Sequence, residues 1–435
     1  MSAISHGSDV SKNERACWLN VRMSLLIFLA FTILGSWVPV FSRYLGQLHF
    51  SPRATAWASS ANAIGAVIAP LFWGQVADRW LASERCIALC ASISGVLLLL
   101  LGSLRDELAV SGVAVALWFF LIPVLTLTGA YIFRMIEHPE SEFGKIRVWG
   151  TVGWMAASWG LGLWLMSQAG EATPGEADDS DLSLSITLAA WSAFVTAAYA
   201  LTLPHAPPGK ASEAASRTWL GKLADAPLSA MVLFRVRSFA VYCASMFGLY
   251  LTLPFTIQLN PLLLKDLGVS DRWLPACLTA AQSTEIASLL MMPYLLARIG
   301  MKPTMMLGGI AWTVGLAALA IGSSIWLVLS AFLTHGVFIC CFVIAGQVYV
   351  NRQASADVRA SAQGLLVLVN GLGLFFGHLL VGWLRNASGD SHAVAYGVAA
   401  GIAGIVVILF IMGFTPTPEL VISDEDPLAQ RQKIA

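Results

Sequence analysis

Charge is scarce in this chain. Asp, Glu, Lys and Arg make up 11% of its 435 residues, and 25 basic side chains balance 25 acidic ones. A balanced chain lacks the basic excess that binds a nucleic-acid polymer, so no such partner is expected. Cysteine chemistry is missing as well. Cys17, Cys86, Cys90, Cys243, Cys277, Cys340 and Cys341 form no C-x-x-C, and no histidine stands at metal-ligand spacing. They read as small core side chains, not as a disulfide framework or a zinc site. There is no Walker loop, no dinucleotide-binding glycine loop and no G-x-S-x-G. The sequence therefore predicts neither an enzyme nor a bound cofactor or metal. No cleavable leader is expected either: the first residues are polar, and the first apolar run reads as a signal-anchor span.

What the chain has is apolar length. It is 57% hydrophobic, with a mean hydropathy of +0.74. A soluble domain cannot hide that much apolar surface, so the fold class is an all-α polytopic membrane protein. Apolar runs predict spans at 20–46, 54–77, 86–104, 109–133, 145–167 and 183–203, then at 237–263, 272–297, 303–321, 325–350, 359–383 and 391–414. That is twelve helices in two sets of six. The expected organisation is a tail at 1–19, a six-helix bundle at 20–203, a linker at 204–236, a second bundle at 237–414 and a tail at 415–435. The stretch Trp219–Met231 in the linker reads either as a short interfacial helix or as a loop.

Charge placement orients these spans. With the N-terminus in the cytoplasm, all Lys and Arg fall on the inner side except Arg43, Arg53, Arg105, Lys265, Arg272 and Arg385. The acid-rich loop Glu171–Asp181 then faces out. Both termini are expected to be cytoplasmic and the protein to lie in the cell inner membrane, in contact with lipid. Pro39, Pro70, Pro123, Pro254, Pro261 and Pro293 fall inside spans, where they can kink helices around a cavity.

The informative stretch is Lys145–Trp154, with its cation inside an apolar helix. Arg147, Thr151 and Trp154 stand at i, i+4 and i+7, so one face carries all three. A charge at membrane depth is a candidate for function; a helix-end charge snorkelling to the headgroups is the other reading. Gln282 and Glu285, at i and i+3 in the eighth span, supply a polar face of opposite sign. Such a carboxylate can bind a proton, a polar solute or both in turn, and a structural Glu–Arg pair is the alternative. Thr252, Thr256, Gln258 and Asn260 run through the seventh span. His335, Cys340 and Cys341 lie in the tenth, where His335 reads as a ligand-bonding or a packing histidine. Trp37, Tyr131, Phe133 and Trp154 are candidate stacking surfaces for a planar ligand. Asp78 and Arg79 close the second span, either as an inter-helix latch or as a plain helix end. Asn351, Arg352 and Gln353 form a polar corner after the tenth.

These motifs together resemble the major facilitator superfamily and, more narrowly, the bacterial nucleoside:proton symporter family. The marks are Gly35–Ser36–Trp37, Gly74–Gln75–Val76–Ala77–Asp78–Arg79–Trp80–Leu81, Ile146–Gly153, Gln282–Ser283–Thr284–Glu285 and Ala360–Gly364. The resemblance implies the major facilitator (6+6) fold with a ligand held between the two halves. Arg147, Thr151 and Trp154 match the family's binding face in the first half, and Gln282 and Glu285 the ligand-meeting pair in the second. Thr256, His335 and Ile339 fall where the family places other binding residues, with Leu253, Thr256, His335, Ile339 and Cys340 all departing from its usual types. Cys340 stands near a family acid, which leaves Glu285 as the carboxylate for coupling.

The function expected is proton-coupled uptake of nucleosides, or of a related polar or glycosidic solute, by alternating access. The partners are one small polar solute and H+ as coupling ion, with Glu285 and Arg147 in coupling, Asp78 and Arg79 as conformational latch, and a monomeric protein. Two alternatives stay open: an efflux carrier for amphiphilic compounds, and a non-transporting receptor or scaffold on a carrier fold.

Overall fold

Helix start signals fall where the apolar runs begin. Ser51 accepts a hydrogen bond from the Ala54 N–H at 3.2 Å, ahead of Pro52 in the first turn. Asp106 caps the fourth long helix through the Ala109 N–H at 2.8 Å. Ser324 and Ser391 do the same for the tenth and twelfth. Each side chain satisfies a backbone donor that the helix itself leaves free.

The computed structural model describes residues 3–136, 139–168, 180–208, 231–353 and 359–415. Within them run twelve long helices. They are α1 (Ala3–Trp37), α2 (Pro52–Arg79), α3 (Ser83–Ser103), α4 (Glu107–Met135), α5 (Pro139–Gln168) and α6 (Ser183–Ala200), then α7 (Arg237–Asp266), α8 (Ala280–Arg298), α9 (Met301–Ile321), α10 (Ile325–Gln353), α11 (Arg359–Ser388) and α12 (His392–Gly413). The protein is an all-α, multi-pass membrane protein. Ten helices are long and apolar enough to cross a membrane by length and composition. The two that fall short are α5 and α8, at 30 and 19 residues, and these carry Arg147 and Glu285. Polar and charged side chains dilute the hydropathy of both, joined in α5 by glycine and tryptophan, which is the cost of presenting a polar face inside a bundle.

Three spans differ from the expected form: the first ends as a helix at Trp37, passes through a 3-10 turn, Val38–Val40, and resumes as the short helix Phe41–Gln47. The eighth span is not continuous: a short helix, Leu274–Leu278, ends at Thr279 and α8 starts afresh at Ala280. A π-type segment, Ile339–Ile344, widens α10 where it passes α8 and α9. Such turns relax the regular ladder and recur at functional sites. Helix α1 extends back to Ala3, into the segment expected as a tail. The loop at 169–179, most of the linker at 209–230, the corner at 354–358 and the stretch after 415 lie outside the described residues.

Helix α1 packs on α5 and α6, α2 on α4, and α3 on α4 and α6. In the second set α7 packs on α11 and α12, α9 on α10 and α12, and α8 on α10. The sets meet along α2 and α11, where Trp57 and Phe375 touch edge to face at 5.9 Å. An even number of crossings returns the end of α12 to the face where α1 begins. The described hydrogen bonds between the sets all lie toward the opposite, far face. Ser42 Oγ donates to the Gln258 carbonyl at 2.8 Å, Trp159 Nε1 to Thr279 Oγ1 at 3.0 Å, and Arg43 binds Asp271. On the terminal side α8 has no buried residue, and Leu290 and Tyr294 are 75% and 58% exposed. The two sets are thus bonded at the far face and, among the described residues, not at the terminal face.

Candidate functional site

The close approach of α1 to α5 sets the first wall. A Cβ on Gly153 would meet the backbone of Phe28, and one on Gly35 would meet the backbone of Trp154. Ser158 Oγ then donates to the Gly35 carbonyl at 2.7 Å. This contact brings Phe31 beneath Arg147, whose guanidinium carbon stands 4.6 Å from the ring centroid. A cation over an aromatic face is stabilised by the ring quadrupole, by up to about 2 kcal/mol when desolvated. Thr151 is buried one turn further along. Trp154 comes about 10 Å from Arg147 along the axis, at 1.5 Å rise per residue.

The second wall is made by α8 against α10. Gly336 leaves room for the backbone of Thr284 and Glu285. Thr284 Oγ1 donates to the Leu333 carbonyl at 2.7 Å, and Cys340 Sγ donates to the Glu285 carbonyl at 3.3 Å. The thiol that stands near the family's acid therefore braces the backbone that carries Glu285. Arg147 and Glu285 interact electrostatically across the gap between the halves without direct ion-pair contact.

Between these walls lies a cavity of about 310 Å³, near the small end of the range for small-molecule sites. Five of the expected binding residues line it: Trp154, Thr256, Gln282, His335 and Ile339. Arg147, Thr151 and Glu285 are not among its walls. Arg147 and Glu285 sit toward the terminal face, because α5 runs away from that face and α8 runs toward it. The Gln282 amide is satisfied with its nitrogen turned toward the carbonyls of Thr279 and Leu278, 3.2 and 3.1 Å away in that orientation. His335 meets the edge of Trp312 at 5.5 Å, and Trp312 stacks on Phe338 at 4.8 Å.

Asn62, Tyr250, Asn260 and Trp312 also line the cavity. Asn260 is oriented by the Tyr396 hydroxyl, which donates to its Oδ1 at 2.6 Å. Trp312 is oriented by donating to Thr252 Oγ1 at 2.8 Å. Of these four, sequence reading singled out only Asn260. Asn62 carried a signal that was available, since it is an amide in the middle of an apolar span. Trp312 carried none that separates it from the other tryptophans.

Three of the stacking candidates are corrected. Trp37 is buried against Phe41 and Trp118, Tyr131 donates to the Pro204 carbonyl at 2.7 Å, and Phe133 stacks on Phe143. All three serve packing and none reaches the cavity. Asp78 is exposed and, with Arg79, makes no ion pair with another described residue. The polar corner does join two helices: Gln363 Nε2 donates to Asn351 Oδ1 at 2.8 Å, linking α11 to α10.

Two sets of six helices, bonded at one face around a central cavity with polar walls from both sets, define a secondary carrier of the major facilitator type. The chain belongs to the nucleoside H+ symporter family, whose model matches residues 18–419. It is 27% identical over 416 residues to the xanthosine permease of Escherichia coli K12, covering 91% of this chain and 95% of that one. It is also 27% identical over 424 residues to the nucleoside permease NupG of the same organism, with coverage of 91% and 96%. A crystal structure of the nucleoside transporter NupG superposes with a TM-score of 0.79 at 24% identity, covering 91% of this chain and all of the other. The D-xylose-proton symporter shares the fold more distantly, at a TM-score of 0.66 and 14% identity.

Proposed function

We propose that this protein carries a nucleoside, or a closely related polar solute, together with protons by alternating access. The observation that carries the reading is the meeting of Trp154 from α5 with Gln282 from α8 in one cavity, above the Arg147–Glu285 pair. A nucleoside offers a planar base and a ring of hydroxyls. Trp154 and the His335–Trp312 wall supply aromatic faces, and Gln282, Asn260 and Thr256 supply directional hydrogen bonds.

Glu285 is the coupling group in this reading. Protonated, it releases Arg147 to hold a ligand oxygen. Deprotonated, it draws Arg147 back and weakens the ligand. Proton and solute then move together because each changes the affinity for the other. Names among the relatives support a purine or general nucleoside as the solute. The terminal face is the cytoplasmic one, in keeping with the distribution of Lys and Arg. The face without described bonds between the halves is then the side of release.

Reconstitution into liposomes tests the reading. Xanthosine, other nucleosides and xylose are each offered with and without an inward proton gradient. Gradient-driven accumulation of nucleosides, but not of xylose, is the expected result. Binding of amphiphilic drugs without nucleoside exchange would point to an efflux carrier, and no counterflow of any solute to a receptor.

A further inference from the structure

A second, much smaller chamber of about 20 Å³ adjoins the main cavity and shares Val38, Asn62 and Ile257 with it. Its other walls include Trp37, Ser42 and Ser59 from the first half and His378 from the second. Three of these residues carry a buried polar atom with no partner: Trp37 Nε1, Asn62 Oδ1 and His378 Nε2. Trp37 and His378 are fully buried side chains in the plane where the halves meet.

The hydrogen-bond roles of the three atoms can be assigned. Indole nitrogen only donates, and an amide oxygen only accepts. Gln258 Nε2 donates to His378 Nδ1 at 2.7 Å, so Nδ1 is an acceptor and the neutral ring carries its proton on Nε2. The chamber therefore has two N–H donors and one carbonyl acceptor around a space the size of one water. A buried water needs roughly 10–15 Å³ and two to four polar partners. Both conditions are met, and a dry chamber would leave all three groups unpaired.

We propose that this chamber is a binding site for a single ordered water, which accepts from Trp37 and His378, donates to Asn62, and bridges the two halves behind the ligand cavity. It sits beside the Ser42–Gln258 hydrogen bond, so the seal at this level is part protein and part water. Opening the far face separates Trp37 and Asn62 from His378 and releases the water to bulk. The site does not depend on which solute the main cavity takes.

A structure of the full chain at a resolution that shows ordered water tests this. The expected result is a peak within hydrogen-bonding reach of all three atoms. An empty chamber, in a map with ordered water elsewhere in the protein, overturns the proposal. Hydroxyl-radical labelling by a short X-ray pulse gives a second readout, because bound water generates the radical in place. Oxidation of Trp37 should fall at least threefold in Asn62→Leu, or in Ser59→Val should the first variant not fold. Unchanged oxidation in a folded variant also overturns it.

Discussion

Arg43 and Asp271 come from opposite halves of the chain and meet in a two-pronged pair. Arg43 Nε stands 3.1 Å from Oδ1 and a terminal guanidinium nitrogen 3.2 Å from Oδ2. Lys265 Nζ adds a third contact at 3.3 Å, and Asp271 is completely buried. A bidentate pair of this kind is directional as well as strong. It closes the far face in this structure, and a carrier that alternates must break it once per cycle.

Asp271→Asn should therefore loosen the far face. Removing one partner of a buried pair costs about 3–5 kcal/mol, because the bidentate contact that joins the halves is lost. Cys277, in the short helix next to this seal, is a natural reporter. In a variant keeping Cys277 as its sole thiol, alkylation by an impermeant maleimide from the far face should rise at least fivefold. An unaltered rate would place the seal elsewhere.

Glu285→Gln should uncouple the carrier. Its backbone is held by Thr284, Gly336 and Cys340, none of which needs the charge, so the fold should survive. Nucleoside counterflow should continue while gradient-driven accumulation is lost. Accumulation that persists, with the pH dependence of the parent, would sink the coupling role.

Arg147→Lys keeps the charge but loses the planar contact with Phe31. Nucleoside affinity should drop roughly tenfold, equal to about 1.4 kcal/mol, with melting temperature little changed. Equal affinity for parent and variant would exclude Arg147 from the ligand's surroundings.

Trp154→Ala should weaken nucleoside binding by roughly tenfold, in line with about 0.5–1.5 kcal/mol for an aromatic pair beyond its buried area. Trp154→Phe should recover most of the loss. Calorimetry with a purine and a pyrimidine nucleoside separates stacking from simple filling: a phenylalanine no better than alanine argues against a stacked base.

Gly153→Val tests the wall that positions Arg147. The added side chain would strike the backbone of Phe28, a rigid neighbour, and push α1 from α5. Overpacking of this sort destabilises by about 1–3 kcal/mol. Thermal unfolding in detergent should show a clear drop, and transport should fail with it. A variant as stable as the parent would mean that the two helices do not cross there.

The membrane class, the order of the helices and most of their ends are legible in the amino-acid order. Apolar run length answers to bilayer thickness, and capping residues such as Ser51 and Asp106 act within one turn, so both are local properties. That order also picked out Arg147 and Glu285, since a charge stands out against apolar surroundings. Which residues form the walls of the cavity is set by how the helices pack. Asn62, Tyr250 and Trp312 reach it by the packing of helices far apart in the chain, and Tyr131 and Phe133 miss it for the same reason. The pairing of Arg43 with Asp271, the break at Thr279 and the small polar chamber at His378 were equally invisible in one dimension, because each depends on which helix faces which across the seam between the halves.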